Sequence, residues 1–343
     1  MSISFTSEEK QLLLLLGWYR RHYALYLGLS RERPATHAGI LQFGHAWFGG
    51  HLLELAPAFS SLGQKGLLRQ AEGTYELTET GTRLFQKLDK SETFYRHEYD
   101  NFFTLSEKSA AHSLFCERVY GEDLNQHGLA DREELRQLLG FLALPTGATG
   151  LDLGCGNGRI TDFLQRQSGT HLLGLDISPE AIRRAAMIPN PQLSFQVGNM
   201  NALSLGERFD FILSIDTLYY AASLKETVQA CLAYLRPNGV FACFFSQWIS
   251  EESESPLLEG PNTGFGKVFQ ELGQPFEFLD ISGSGRRHWH RKRDVLLDMR
   301  PAFEAEGSLA LWDYRFREAN RYAEWKEAYY ARFIYKAAPY SVK

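Results

Sequence analysis

An α/β protein is expected from this chain, with a largely parallel sheet in its C-terminal part and a helical module before it. Three observations carry that expectation. Apolar runs alternate with helix-forming stretches from about residue 149 onward, and the first run ends in LDLGCGNGRI (151–160), with glycines at alternate positions. Residues 8–90 instead carry helical patterns with one short hairpin signal. At 343 residues and 44% apolar content, the chain is long enough for one large or two ordinary folded units.

Leu, Trp and Tyr recur through residues 8–29, and Gly28 and Pro34 then punctuate the pattern, which predicts a first helix. Its leucine run, Leu12 to Leu16, is soon interrupted by Arg20, Arg21 and His22, well short of the ~20 apolar residues of a membrane span. A buried helix and no membrane partner are expected. MSISFTSEEK has neither a basic region nor a small-residue cleavage site, so the expected location is cytoplasmic. Cys116, Cys155, Cys231 and Cys243 lie far apart with no C-x-x-C pair, which argues against a zinc knuckle or a disulfide framework.

In GLLRQAEGTYELTETGTRLFQKL two short strand-like runs flank Glu72-Gly73, and a helix follows at Thr80. That order, over roughly 36–90, resembles a winged-helix module. The region that would enter a DNA groove, HAWFGGHLLELAPAF, is mostly apolar where exposed Arg, Lys, Asn or Gln would be needed. The net charge of -5 adds no attractive field, so nucleic acid is not an expected partner. Residues 91–140 are aromatic and helical, ending in the GEDLNQHG turn, and read as a connecting and capping segment.

After that segment, strands are expected near 149–154, 171–176, 192–197, 209–216 and 238–246, with helices near 157–167, 178–187 and 223–235 between them. Residues 249–292, with ESES, several glycines and prolines and the basic run RRHWHRKR, read as an inserted lid or loop. A helix near 293–305 and strands near 308–316 and 330–337 would complete a seven-stranded sheet. The expected domains are 1–92 (helical), 93–140 (linker and cap) and 141–343 (sheet).

A glycine turn at the carboxyl end of a first parallel strand lets a ligand approach bare backbone and the positive end of the next helix. The dinucleotide pattern G-x-G-x-x-G would need a glycine at 159, where this chain has Arg159. The spacing present is D-x-G-x-G-x-G, through Asp152, Gly154, Gly156 and Gly158. With Asp176 closing LLGLDIS, GNMNAL after the third strand, FDFILSIDTLYYA at the fourth and LRPNGVFACF at the fifth, residues 149–246 resemble the class I S-adenosylmethionine-dependent methyltransferases, small-molecule type. The fold this implies is a Rossmann-like seven-stranded methyltransferase sheet behind the N-terminal helical, winged-helix-like domain.

What the resemblance implies is specific. Asp152, Gly154, Cys155, Gly156 and Gly158 would meet the methionine end of S-adenosyl-L-methionine, Asp176 and Ile177 the ribose and adenine, and Asn199 and Met200 would flank the adenine. Asn199 stands where the family often has Asp, and its carbonyl accepts the same bond without the charge. Asp216 and Thr217 would lie near the methionine moiety, with Asp216 serving either the cofactor or a structural hydrogen bond. The family's winged-helix-like modules make dimers or cover substrate, so a homodimer is expected.

Aligning acceptor and methyl group in line can supply roughly 7–11 kcal/mol of barrier reduction, so no covalent nucleophile is required. Tyr219 and Tyr220 stand where family members often carry Glu-His. With Tyr99, Phe103 and Trp248 they would offer an aromatic pocket for an amine or aromatic acceptor. His127, just before the glycine turn, is the candidate base, and Tyr220 a second catalytic candidate. His288 and His290 would share one face of a strand, yet without a third ligand no metal is expected. The expected function is methyl transfer to nitrogen or oxygen of a small molecule. The rivals are a winged-helix regulator that senses S-adenosylmethionine and an RNA or protein methyltransferase using the basic run.

Overall fold

The leucine run forms the inner face of α1 (Ser7–Leu27), where Leu12, Leu13, Leu15, Leu16 and Trp18 are buried. Thr6 and Glu9 close a capping box at its start, with Glu9 N donating to Thr6 Oγ1 (3.2 Å) and Thr6 N to Glu9 Oε2 (2.9 Å). The buried Glu9 carboxylate also accepts from Lys65 Nζ at 2.6 and 2.8 Å, which ties α1 to the residue just past α3 (Ala56–Gln64). Helix α2 (His37–Phe48), strands β1 (Leu68–Ala71) and β2 (Thr74–Leu77) and helix α4 (Glu79–Leu88) complete this part. The expected hairpin is present: Glu72 and Gly73 both have left-handed φ, 50° and 77°, as a two-residue turn between antiparallel strands requires.

The computed structural model describes residues 5–27, 35–48, 54–88, 91–324 and 327–338. Gly28, Pro34 and residues 49–53 of HAWFGGHLLELAPAF lie outside the described residues. The chain divides into two units, Met1–Phe102 and Phe103–Lys343, with the division inside α5 (Ser91–Ser106). Among the described residues no helix is long and apolar enough to cross a membrane.

The second unit begins with α6 (Ala110–Tyr120) and α7 (Arg132–Leu142). Then come β3 (Thr149–Leu153), α8 (Arg159–Ser168), β4 (His171–Asp176), α9 (Pro179–Ala185), β5 (Leu193–Val197), β6 (Phe209–Ser214), α10 (Leu224–Ala233) and β7 (Leu235–Trp248). It closes with α11 (Gly264–Glu271), β8 (Phe276–Asp280), α12 (Ser282–Ala305), α13 (Leu309–Ala323) and β9 (Tyr330–Ala337). The sheet order is β5-β4-β3-β6-β7-β9-β8, with β9 antiparallel to both its neighbours and the strands β3 to β7 paired in parallel. Its central strands are buried on both faces. Leu151, Ile212, Phe241 and Cys243 pack into one core, and Phe211, Leu213, Ala242 and Phe244 into the other, so these strands read as continuous apolar runs.

Three expectations fail beyond residue 249. The strand expected at 308–316 is helix α13, and the helix expected at 293–305 is only the second half of α12. The segment 249–292 is not an extended loop, since it contains α11, the edge strand β8 and the first turns of α12. The inner face of α12 runs through Gly285, His288, Trp289, Lys292, Leu296, Met299 and Phe303, a helical stripe whose first half is not aliphatic. In α13, Arg315 occupies the inner face between Leu311 and Ala319, which breaks the apolar period that would have marked a helix. His288 and His290 therefore do not share a strand face: both lie on α12, two residues apart on a helix, and His288 is buried. Among the described residues no group of three or more His, Cys, Asp or Glu side chains is placed to hold a metal.

Candidate active site

The strand order reverses between β3 and β6, so connections leave this pair in opposite directions and open a crevice at their carboxyl ends. The glycine turn lies there. Gly154, Gly156 and Gly158 take left-handed φ of 83°, 55° and 77° in succession. A Cβ on Gly154 would stand 2.5 Å from Thr217 Cγ2, and one on Gly158 2.7 Å from Phe195 Cζ, so both positions are closed to a side chain. Gly158→Ala is expected to cost about 1–3 kcal/mol of stability from its backbone alone, read as a lowered Tm. Gly156 faces the buried Phe103 ring, 3.0 Å from where a Cβ would lie, and its N–H donates to Asp176 Oδ2 at 2.9 Å.

Asp176 closes β4, and its second oxygen accepts from Ser178 N at 2.9 Å. Ser178 caps α9, accepting from Ala181 N at 2.9 Å, a cap typically worth ~1 kcal/mol, which leaves Asp176 free of that task. Ile177 follows, half-buried. After β5, Asn199 Oδ1 accepts from Asn201 N at 2.9 Å and starts the short turn Met200–Ala202. Asp152 lies within β3, accepts from Thr161 Oγ1 at 2.6 Å, and is pushed up to about 6 by burial. The Cys155 thiol beside it is buried, and burial pushes it well above the ordinary cysteine value.

The end of β6 is built differently. Asp216 has φ 55° and a buried carboxylate gripped by the Arg332 guanidinium, with Nη1 to Oδ1 at 2.6 Å and Nη2 to Oδ2 at 2.9 Å. Its Oδ2 also accepts from Leu129 N (2.9 Å) and Ala130 N (3.1 Å), pinning the segment after the GEDLNQHG turn. Burial alone would raise this carboxyl, but the Arg332 charge and these hydrogen bonds hold it below its usual value. Arg332 reaches Glu134 at 3.4 Å as well, and burial shifts that carboxyl upward. These bonds assign Asp216 a structural ion pair. Thr217 Oγ1 donates to Leu153 O at 2.8 Å and so locks the β6 end against the start of the glycine turn.

The expected aromatic residues divide. Tyr219 stacks on Phe245 (5.2 Å), and its hydroxyl, raised by burial, accepts from Ser246 N at 2.7 Å. Tyr220 follows it, half-buried, in the short turn Leu218–Tyr220. Trp248, at the end of β7, is sandwiched between Tyr322 (4.4 Å) and Tyr330 (4.2 Å), with Trp289 6.3 Å away. Tyr99 lies in the first unit. His127 Nε2 is 2.7 Å from Tyr314 Oη, and burial with the charges of Arg315 and Lys292 pushes the imidazole down to about 3. A neutral ring so placed offers a hydrogen bond more readily than it takes a proton.

The basic run RRHWHRKR divides as well, with Arg287 and Arg291 exposed. It lies inside α12 with His288 and Lys292 buried, and Arg291 pairs with Asp131 at 3.1 Å. Glu134, Lys292, Arg315, Glu318 and Arg332 were missed by sequence reasoning. The one signal was a charge inside the apolar strand run YARFIYKA, where Arg332 stands.

The family model described as a methyltransferase domain matches residues 126–294, from Gln126 through the glycine turn and into α12. That segment is similar to methyltransferase domains. An uncharacterized methyltransferase of Synechocystis sp. is 38% identical over 114 residues, covering 32% of this chain and 53% of that protein. A ubiquinone biosynthesis O-methyltransferase of Methylobacterium sp. is 33% identical over 104 residues, 28% of this chain and 39% of that protein. The chain thus spans about half the length, or less, of these relatives. Among solved structures, phosphoethanolamine N-methyltransferase 2 of Haemonchus contortus, in complex with phosphomonomethylethanolamine and S-adenosylhomocysteine, superposes with a TM-score of 0.57 at 14% identity. The match covers 70% of this chain and 59% of that one, and at this identity it speaks for the fold alone.

Proposed function

We propose that the chain is an S-adenosylmethionine-dependent methyltransferase acting on nitrogen or oxygen of a small molecule. The observation that carries the reading is the triple left-handed glycine turn at the point of strand reversal, bonded through Gly156 N to the Asp176 carboxylate. The residues fit a sulfonium nucleoside. Backbone bared at Gly154–Gly158 and the amide-rich start of α8 suit the amino acid end, and a carboxylate at the end of β4, that of Asp176, suits two ribose hydroxyls. Asn199 and Met200 are proposed to flank the adenine, with Cys155 and Ile177 lining the same crevice. When bound, the cofactor supplies an electrophilic methyl group.

The chain's part is then to bind, align and exclude water. The Arg332–Asp216 pair holds the backbone of Leu129 and Ala130 at the end of β6, and His127 with Tyr314 is proposed to stand beside the crevice. Phe103 packs over Gly156. Tyr219, Tyr220 and Trp248 are proposed to face the acceptor, with His127 as a hydrogen-bonding group. An O-methyltransferase among the relatives and an N-methyltransferase among the structural neighbours support keeping both atoms in the reading. The N-terminal part is proposed to be a winged-helix-like dimerisation or cover module of a cytoplasmic homodimer, and a monomeric mass by light scattering would overturn the dimer.

The test is calorimetry with S-adenosylmethionine, followed by incubation with a metabolite pool and labelled methyl donor. Saturable binding and a labelled small molecule in the mass spectrum are the expected outcome. Absence of binding removes the reading.

A further inference from the structure

The segment 123–130 is tied to both strands of the pair at which the sheet order reverses. At one end Asp123 Oδ2 accepts from Arg159 Nη1 at 3.2 Å and from Ser113 Oγ at 2.5 Å, and Arg159 opens α8 directly after the glycine turn that leaves β3. At the other end Leu129 N and Ala130 N donate to Asp216 Oδ2 past the end of β6, and a Cβ on Gly128 would stand 3.1 Å from Asp216 Cβ. Leu124 and Ala130 are buried in the core that also holds Phe163 and Leu164 of α8, so the segment keeps to the side of the sheet on which α8 packs. It therefore bridges the carboxyl ends of β3 and β6, with Asn125 between its two anchors.

Asn125 has a left-handed φ of 49°, and its N–H donates to Asp123 Oδ1 at 2.9 Å, a conformation that asparagine tolerates better than most residues. The residue is 4% exposed, and its side-chain Oδ1 has no hydrogen-bond partner among the described residues. A buried acceptor is costly to leave unmade and is as a rule matched by a donor. The neighbouring groups have the opposite character. The bared amides of the glycine turn and of the first turn of α8 are donors, which suit a carboxylate and offer nothing to an ammonium. The Asp216 carboxylate is engaged by Arg332, Leu129 and Ala130. An amino acid end laid on this turn therefore brings one group that these donors serve and one that they do not.

We infer that the Asn125 side-chain carbonyl accepts a hydrogen bond from the ammonium of the cofactor's amino acid end, while the glycine turn and the start of α8 take its carboxylate. The inference rests on the cofactor reading proposed above and adds to it a residue from outside the glycine turn. The two ends of the zwitterion are not interchangeable here. A carboxylate turned toward Asn125 Oδ1 would set two acceptors face to face with no proton between them, whereas an ammonium carries three N–H donors and spends one on this oxygen. The bridging segment thereby fixes which way round the amino acid end lies.

The test is calorimetry on the native chain, Asn125→Gly and Asn125→Asp with three nucleosides. These are S-adenosylhomocysteine, its deaminated analogue, which keeps the carboxylate and lacks the ammonium, and 5′-methylthioadenosine, which lacks the whole amino acid end. Glycine is chosen because it takes the left-handed backbone without strain and removes only the side-chain amide. Asn125→Gly is expected to bind S-adenosylhomocysteine about tenfold or more weakly than the native chain, the size of one hydrogen bond to a charged group. The other two nucleosides are expected to bind both proteins alike. Asn125→Asp adds charge to an acceptor of the same reach and should widen the preference for S-adenosylhomocysteine over the deaminated analogue. Unchanged affinity of Asn125→Gly for S-adenosylhomocysteine overturns the inference. So does an equal loss with the deaminated analogue, or a loss shared by all three nucleosides, which a purely structural role of the segment would give. Should Asn125→Gly not fold, Asn125→Asp carries the test, and an unchanged preference in it overturns the inference. Each of these outcomes leaves the cofactor reading in place, whereas failure of the native chain to bind S-adenosylhomocysteine removes both.

Discussion

Asp176→Ala is expected to weaken S-adenosylmethionine binding by at least about 100-fold, because two hydrogen bonds to a carboxylate, each worth ~1.5 kcal/mol or more, are lost together. The side chain has a second role, since its Oδ2 holds Gly156 N at 2.9 Å and so steadies the middle of the glycine turn. Asp176→Asn separates the two. Its amide oxygen can still accept from one backbone N–H, but the charge is gone, so binding should fall by an intermediate amount with little change in Tm. Calorimetry on the three proteins reads this directly. Equal affinities across them would remove the proposed ribose contact, while a parallel collapse of Tm and affinity would assign Asp176 to the turn alone.

Arg332→Met is expected to lower unfolding free energy by about 3–5 kcal/mol, the usual result of removing one member of a buried ion pair. Arg332 is fully buried and grips Asp216 through two bonds of 2.6 and 2.9 Å, with Glu134 at 3.4 Å. Its removal strands buried carboxylates. Because Asp216 is held below its ordinary value, the stability it contributes is present above the unfolded aspartate value of about 3.9 and is lost as pH falls below it. Glu134 is shifted the other way and takes up its proton first as the solution is acidified. The deficit of the variant should therefore be widest at neutral pH and shrink in acid, measured by urea unfolding at several pH values. A loss under ~1 kcal/mol at pH 7 would mean the clamp contributes no more than a surface pair.

The centre of the parallel sheet was legible because its strands are buried on both faces and built of Leu, Ile, Phe and Val, so pattern and burial coincide. The glycine turn was legible because left-handed φ three times over leaves few residue choices. Between residues 249 and 323 the correspondence breaks down, since the inner faces of α12 and α13 carry His288, Lys292 and Arg315 where an apolar period would be sought; it returns at β9, which lies where a strand was expected. Asp216 shows the remaining difficulty. Its place after β6 was readable, but its partner lies 116 residues further along, and a single sequence holds no sign of that pairing.

Strand β9 enters between β7 and β8, and β8 has no other neighbour in the sheet. During synthesis, β3 to β7 can assemble as soon as they leave the ribosome, whereas β8 must wait with both edges bare until residues 330–337 follow it. Only then does Arg332 arrive at Asp216, so the mouth of the crevice sets last. A nascent chain stalled before that point would hold a finished glycine turn beside an unfinished β6 end, and would show its exposed strand edges to chaperones and to other copies of itself.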